Sequence, residues 1–197
     1  MKMKDNTPIS YQEFGNNFVR HVISADRLRR ELDGLLRSSS IAGTVEVLPA
    51  ELMRAEYSLQ IDALTVEPGQ APEFLLGYRL GIQGTLDLLI RVLGLPLKFS
   101  VAVLIRIDID VYTYAPLTIR LQPQKVTRDA VQIEINPGGV PEEVLDKLNI
   151  IEPALAEEIV RQVNQRIKGD EVVNATTIDI LRLAHEAQLS SSKPAIA

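Results

Sequence analysis

From Leu97 to Val111 every second residue is large and apolar, through Phe99, Val101, Val103, Ile105, Ile107 and Ile109. The positions between them, Lys98, Ser100, Ala102, Leu104, Arg106, Asp108 and Asp110, are polar, small or charged apart from Leu104. A period of two over so long a run predicts a strand with one buried and one wet face. Upstream, Phe74, Leu76, Tyr78, Leu80, Ile82, Leu86, Leu88, Ile90 and Val92 share one parity, interrupted only by Gly84. Arg79, Gln83, Thr85, Asp87 and Arg91 hold the other parity. The link Gly94-Leu95-Pro96 is so short that the two runs must pair as an antiparallel hairpin. Shorter alternations flank it: Val45 and Val47, then Ala55, Tyr57, Leu59, Ile61 and Ala63, then Leu117, Ile119 and Leu121, then Val131, Ile133 and Ile135.

At both ends the period changes. Phe14, Phe18 and Val22 predict a helix from Ser10, and Ser24 can cap a second stretch with Leu28, Leu32, Leu35 and Leu36 on one face. The pattern leaves open whether these are one bent helix or two. NPGG at 136–139 ends the sheet, and PEEVLDKL follows as a short helix with Pro141 in its first turn. Glu152-Pro153 opens a further helix with Leu155, Ile159, Val163 and Ile167 in a stripe, stopped by Gly169, and Thr177 caps a last one. The layout is one domain over residues 10–188, with helices about 10–37 and 141–188 and sheet about 44–135. Residues 1–9 and 189–197 are expected to be disordered.

Length then constrains shape. At about 3.4 Å per residue, a strand from Leu97 to Val111 extends roughly 50 Å, against about 40 Å for the diameter of a compact chain this long. The sheet must therefore curve, with Gly77, Gly81 and Gly84 as places to bend. The fold class is α+β: a long, strongly curved antiparallel meander wrapped around N- and C-terminal amphipathic helices. Periodicity does not distinguish a filled core from a lined cavity. If a cavity exists, its walls are expected from Phe74, Leu76, Tyr78, Leu80, Leu86, Ile90, Phe99, Val103, Ile105 and Ile107.

Composition narrows the partners. The net charge of −5 argues against a surface for nucleic acid or an anionic membrane, which needs clustered Lys and Arg, and Arg27, Arg29 and Arg30 are answered by Glu31 and Asp33. No run approaches the roughly 18 apolar residues of a membrane span. The absence of cysteine excludes disulfides and thiolate metal sites. With no apolar run after MKMKDNTPIS, a cytoplasmic location is expected. Candidate chemistry is sparse. His21 and His185 lie at opposite ends, and Asp108 and Asp110 share a face with Lys98 and Arg106, where cross-strand pairing with Arg79 or Arg91 is the expected role. The glycines of GYRLGIQG sit inside a strand rather than before a helix, so they form no phosphate loop. No catalytic residue, metal or cofactor is assigned.

The order of elements, a leading amphipathic helix, a meander of very long alternating strands and a closing helix, resembles the tubular lipid-binding superfamily over residues 10–168. That resemblance is one of pattern. It implies a curled sheet around a long helix, with an apolar tunnel or seam for acyl chains. The stretches Val163–Ile167 and Ile178–Ile180 are also similar to uncharacterised bacterial proteins. Neither resemblance carries over a functional residue. The leading expectation is non-catalytic binding of a lipid or other long apolar molecule, with no membrane span but room for transient membrane contact. One alternative is a biosynthetic enzyme or accessory protein enclosing a hydrophobic intermediate, with Tyr57, Tyr78, Tyr112 or Tyr114 as its polar handle. Another is a homodimeric interaction module with a filled core.

Overall fold

The computed structural model describes residues 7–37, 41–48, 53–69, 76–92, 95–134 and 142–191. Two helices lead, α1 (Tyr11–Val22) and α2 (Ala25–Arg37). Each has a serine cap: the Glu13 N–H donates to Ser10 Oγ at 3.1 Å and the Arg27 N–H to Ser24 Oγ at 3.3 Å. Ile23 separates them and is only 1% exposed. Its carbonyl accepts the Tyr78 hydroxyl, so the junction is pinned to the sheet. The stretch is therefore two helices.

The sheet is a meander: β1 (Ile41–Leu48), β2 (Met53–Pro68), β3 (Leu76–Val92), β4 (Leu95–Tyr114) and β5 (Thr118–Pro123), each antiparallel to the one before. β6 (Val131–Glu134) pairs with the middle of β4, and β7 (Thr177–Asp179) extends the sheet beyond β5. The sheet curls into a half-barrel, and the architecture is α+β as the alternation predicts. α3 (Glu142–Ile167) crosses the concave side, touching β1 at one edge and β6 towards the other. α4 (Asp170–Ala175) and α5 (Ile180–Ser191) complete the chain.

Register shows why the two faces differ. Leu80 lies opposite Ile107, Ile82 opposite Ile105, Leu86 opposite Val101, and Ile90 opposite Leu97. These side chains join Ile151, Leu155, Ile159 and Val163 of α3 in one apolar cluster. Burying a side chain of this size contributes about 1.5–3 kcal/mol, so the paired stripes dominate the fold's stability. The convex face is polar and cross-linked. Arg79 Nε donates to Asp108 at 2.8 Å, Ser100 Oγ to Asp87 at 2.6 Å, and Gln124 Nε2 to Asp110 at 2.6 Å. Asp108 thus takes the cross-strand partner expected of it, and Asp110 takes an amide from the loop after β5.

Several expectations are corrected. β1 begins at Ile41 rather than 44. The alternation of β2 does not run to Ala63: a bulge between Ile61 and Ala63 hands the inward place to Leu64, which faces Ile82. A bulge adds one residue to one strand, so every side chain after it changes face. Pro153 does not open a helix but lies inside α3. Ile151 and Leu155 on either side of it are both buried. Their burial offsets the one backbone hydrogen bond that proline removes. The last helix starts at Ile180, capped by Asp179 through the Arg182 N–H at 3.1 Å. Thr177, expected as that cap, belongs to β7 instead. α5 runs to Ser191, past the expected end of the domain at 188. Phe74, Ile135, the NPGG turn, Pro141 and residues 1–6 and 192–197 lie outside the described residues.

Candidate functional site

The helices cover the concave face unevenly. Towards the β6 side, Leu86, Ile90 and Val103 are packed with α3 into a closed core. Nearer the α2 side the cover is looser. There an apolar cavity of about 100 Å³ lies between Leu80, Ile82, Ile105, Ile107 and Ile109 of the sheet and Leu32, Leu36, Val163 and Ile167 of the helices. Among its lining residues Arg166 is the one charged group and Thr176 the one other polar side chain. The Thr176 hydroxyl donates to the Val172 carbonyl at 2.7 Å, so it presents no unmet polar demand to the cavity.

A second, wetter pocket of about 400 Å³ adjoins the first and shares Leu32, Leu121, Ala175 and Thr176 with it. We call it the vestibule. Its other walls include Val22, Ile23 and Leu28 with Arg27, Glu31, Asp179 and Arg182, two charges of each sign.

The residues predicted to line a cavity are thus divided. Leu80, Ile105 and Ile107 border it. Leu86, Ile90 and Val103 are core residues, and Leu76 and Phe99 are half-buried at the edge of the same cluster. Tyr78 is buried with its hydroxyl on Ile23. Sequence reasoning did not select Leu59, Ile61, Leu121 or the helical residues. The i, i+4 pair Leu32 and Leu36 carried the available signal, since the helices were already expected to cover the sheet.

Of the four tyrosines considered as polar handles, none lines the cavity. Tyr57 faces inward but meets α3: Gln162 Nε2 donates to its oxygen at 2.6 Å, and the hydroxyl donates to Glu158 Oε1 at 3.2 Å. Gly43, opposite Tyr57 in register, makes this possible, because a Cβ there would sit 2.7 Å from the Tyr57 oxygen. Burial, then the Glu158 charge, pushes the Tyr57 phenol well above its ordinary range. Glu158 is held down to about 2, chiefly by its hydrogen bond from Arg161, then by those from Gln162 and Tyr57. The cluster is a clamp of α3 onto the sheet.

It also has a pH signature. A carboxyl depressed in the folded state contributes stability that is complete above its unfolded value near 4.5 and is lost as pH falls towards about 2. Arg161 is half exposed, so solvent screening limits the contribution to about 1 kcal/mol or less. Urea midpoints at pH 7 and pH 3 should therefore fall less steeply for Glu158→Gln than for the native chain. An unchanged slope would show that the clamp does not carry the acid sensitivity.

Among the described residues no group of three His, Asp or Glu side chains converges to hold a metal, and no helix is long and apolar enough to cross a membrane. No family model matches the chain, and no curated protein sequence matches it. The solved structure of a lipopolysaccharide binding protein is similar over 71% of this chain and 36% of the other, at 16% sequence identity and a TM-score of 0.30. The chain thus spans about a third of that protein's length.

Proposed function

We propose that the protein binds a lipid or related amphiphile without transforming it, the apolar end between sheet and helices and the polar end in the vestibule. One observation carries this reading: an apolar cavity beside a charge-balanced vestibule, the two sharing four wall residues. Membership of the tubular lipid-binding superfamily is part of the proposal, supported by the curled meander between leading and closing helices. So is a cytoplasmic site of action, supported by the cysteine-free composition.

Magnitudes specify how the ligand must fit. A dry cavity of about 150 Å³ takes a benzene ring, so about 100 Å³ takes roughly three or four methylene-sized groups. At about 0.8 kcal/mol per buried CH₂ these contribute about 3 kcal/mol, short even of millimolar affinity. Micromolar binding needs about ten buried methylenes. The chain must therefore run on from the cavity into the vestibule, with α2 yielding to admit it.

Thermal denaturation across a series of saturated fatty acids and lysophospholipids tests this. Affinity should rise about fourfold per methylene, and saturation at a hundred times Kd should raise Tm by roughly 5–10 °C. Native mass spectrometry should show adducts that solvent extraction removes. Ile105→Trp fills the cavity without adding charge and should abolish both responses while the chain stays folded. A native chain that answers no acyl compound would reduce the cavity to a packing void and end the proposal.

A further inference from the structure

We propose that the convex face carries a binding pocket for a phosphate group, at the place where β4 runs without a neighbouring strand. β6 pairs with β4 as far as Ile105, and β5 pairs with it from Ile109 onwards. On that edge Arg106, Ile107 and Asp108 therefore meet the loop of residues 124–130 instead of a strand. The loop is held at two points. The Gln124 N–H donates to the Asp108 carbonyl at 2.7 Å. From α3, Asn164 bonds Val126 twice: its Nδ2 donates to the Val126 carbonyl and its Oδ1 accepts the Val126 N–H, both at 2.9 Å. The side-chain amide thus stands in for a strand backbone, and Val126 is turned inward at 2% exposure. Its neighbours Lys125 and Thr127 are exposed and line the convex pocket.

That pocket measures about 300 Å³, with Arg79, Arg106 and Asp108 of the strands and Lys125, Thr127 and Asp129 of the loop around it. Three cations face two acids there, and both acids are already engaged. Asp108 accepts Arg79 Nε at 2.8 Å. Asp129 accepts the Thr127 hydroxyl and its own backbone N–H, which hold its carboxyl below the ordinary range. Arg106 and Lys125 have no hydrogen-bond or ion-pair partner among the described residues. For Arg106 the cause is its position: Gly81 lies opposite it on β3 and offers no side chain, and its other flank is the strandless edge. Two cations without counter-charge, beside a loop fixed in place, form a preorganised anion site.

Geometry selects the anion. Arg79 and Arg106 come from adjacent strands and Lys125 from the loop. Donors on three sides suit a tetrahedral oxyanion, which offers a separate oxygen to each, better than a planar carboxylate with two. Ile107 and Val126, the large apolar residues at the pocket, are both buried. No apolar wall awaits an acyl chain, so the source of the phosphate is a water-soluble monoester and not a lipid. The pocket lies on the opposite face of the sheet from the apolar cavity, and the inference does not depend on what that cavity holds.

Calorimetric titration of the full chain with inorganic phosphate and with glycerol 3-phosphate, at constant ionic strength, tests this. Both should bind with Kd on the order of 1 mM, and acetate about tenfold more weakly. Arg106→Gln and Lys125→Gln should each weaken phosphate binding about fivefold, and the double variant should bind none that is measurable. Neither residue has a partner to lose, so Tm without phosphate should hold. Lys98→Gln removes the same charge from the same strand outside the pocket, and it should leave Kd unchanged. Phosphate binding that is absent, that the double variant retains, or that Lys98→Gln weakens equally would overturn the proposal. Dihexanoyl phosphatidic acid that binds through Arg106 and Lys125 more tightly than glycerol 3-phosphate would give the site to a lipid head group and overturn it as well.

Discussion

Ile105→Asp and Leu80→Asp are each expected to abolish the folded state. Both side chains sit in the concave stripe, Ile105 at 1% exposure, among aliphatic neighbours, with Arg166 the one charged group lining the adjoining cavity. A carboxylate placed there must lose its water and either stay charged in an apolar stripe or take up a proton, and either costs several kcal/mol. That is a large part of the roughly 5–15 kcal/mol that holds a domain folded. Gln83→Asp and Arg106→Asp, three positions from Leu80 and one from Ile105 on the same strands, lie on the convex face and are exposed. They should cost under about 1 kcal/mol. Urea denaturation of the four variants reads the contrast directly. Equal losses would mean that both faces are covered, which contradicts the half-barrel.

The second large effect concerns a position with no side chain. A Cβ on Gly84 would stand 2.4 Å from the Gln60 carbonyl oxygen and 3.0 Å from Leu59 Cδ1. The obstacle is backbone, so no rotamer change relieves it. Gly84→Ala must push β2 away from β3 beside the bulge, and about 3 kcal/mol of destabilisation is expected. Gly34 supplies the control. It lies in α2 with nothing within 4 Å of an added Cβ, so Gly34→Ala should stabilise the chain by about 0.5–1 kcal/mol. If the Gly84 variant melts with the native chain, the close approach of β2 and β3 is not rigid.

The strand pattern was legible because burial on one face imposes a strict period. The pairing of Leu80 with Ile107 and of Ile82 with Ile105 follows once Val92 is set opposite Leu95. Ser24 announced its helix for an equally local reason, a hydroxyl that satisfies a free N–H. Features that depend on distant partners were not legible. The bulge that replaces Ala63 by Leu64 keeps an apolar residue at both positions, so the pattern does not register it. Pro153 looks like a boundary because proline opposes helix locally, and only the burial of Ile151 and Leu155 against strands far away in sequence overrides it. β7 is three residues long and gains its identity from pairing with β5. The cavity lies still further from the sequence. Its sheet wall shares a stripe with the packed core, and Ile105 and Val103 differ only in what the helices above them do.

The cavity walls come from three separated parts of the chain, and this has a consequence in time. β2, β3 and β4 are joined by short links and can zip together from local contacts. Leu32 and Val163 meet over the sheet only after both ends of the chain have wrapped around it. Closure entropy delays such distant contacts. The sheet therefore forms as a trough before it has a roof, and a nascent chain lacking α3 and α4 would have the floor of the cavity but not the cavity. Under the proposed binding function, an acyl chain present during that interval would meet an open apolar floor rather than a closed seam, and loading during synthesis would not need α2 to yield.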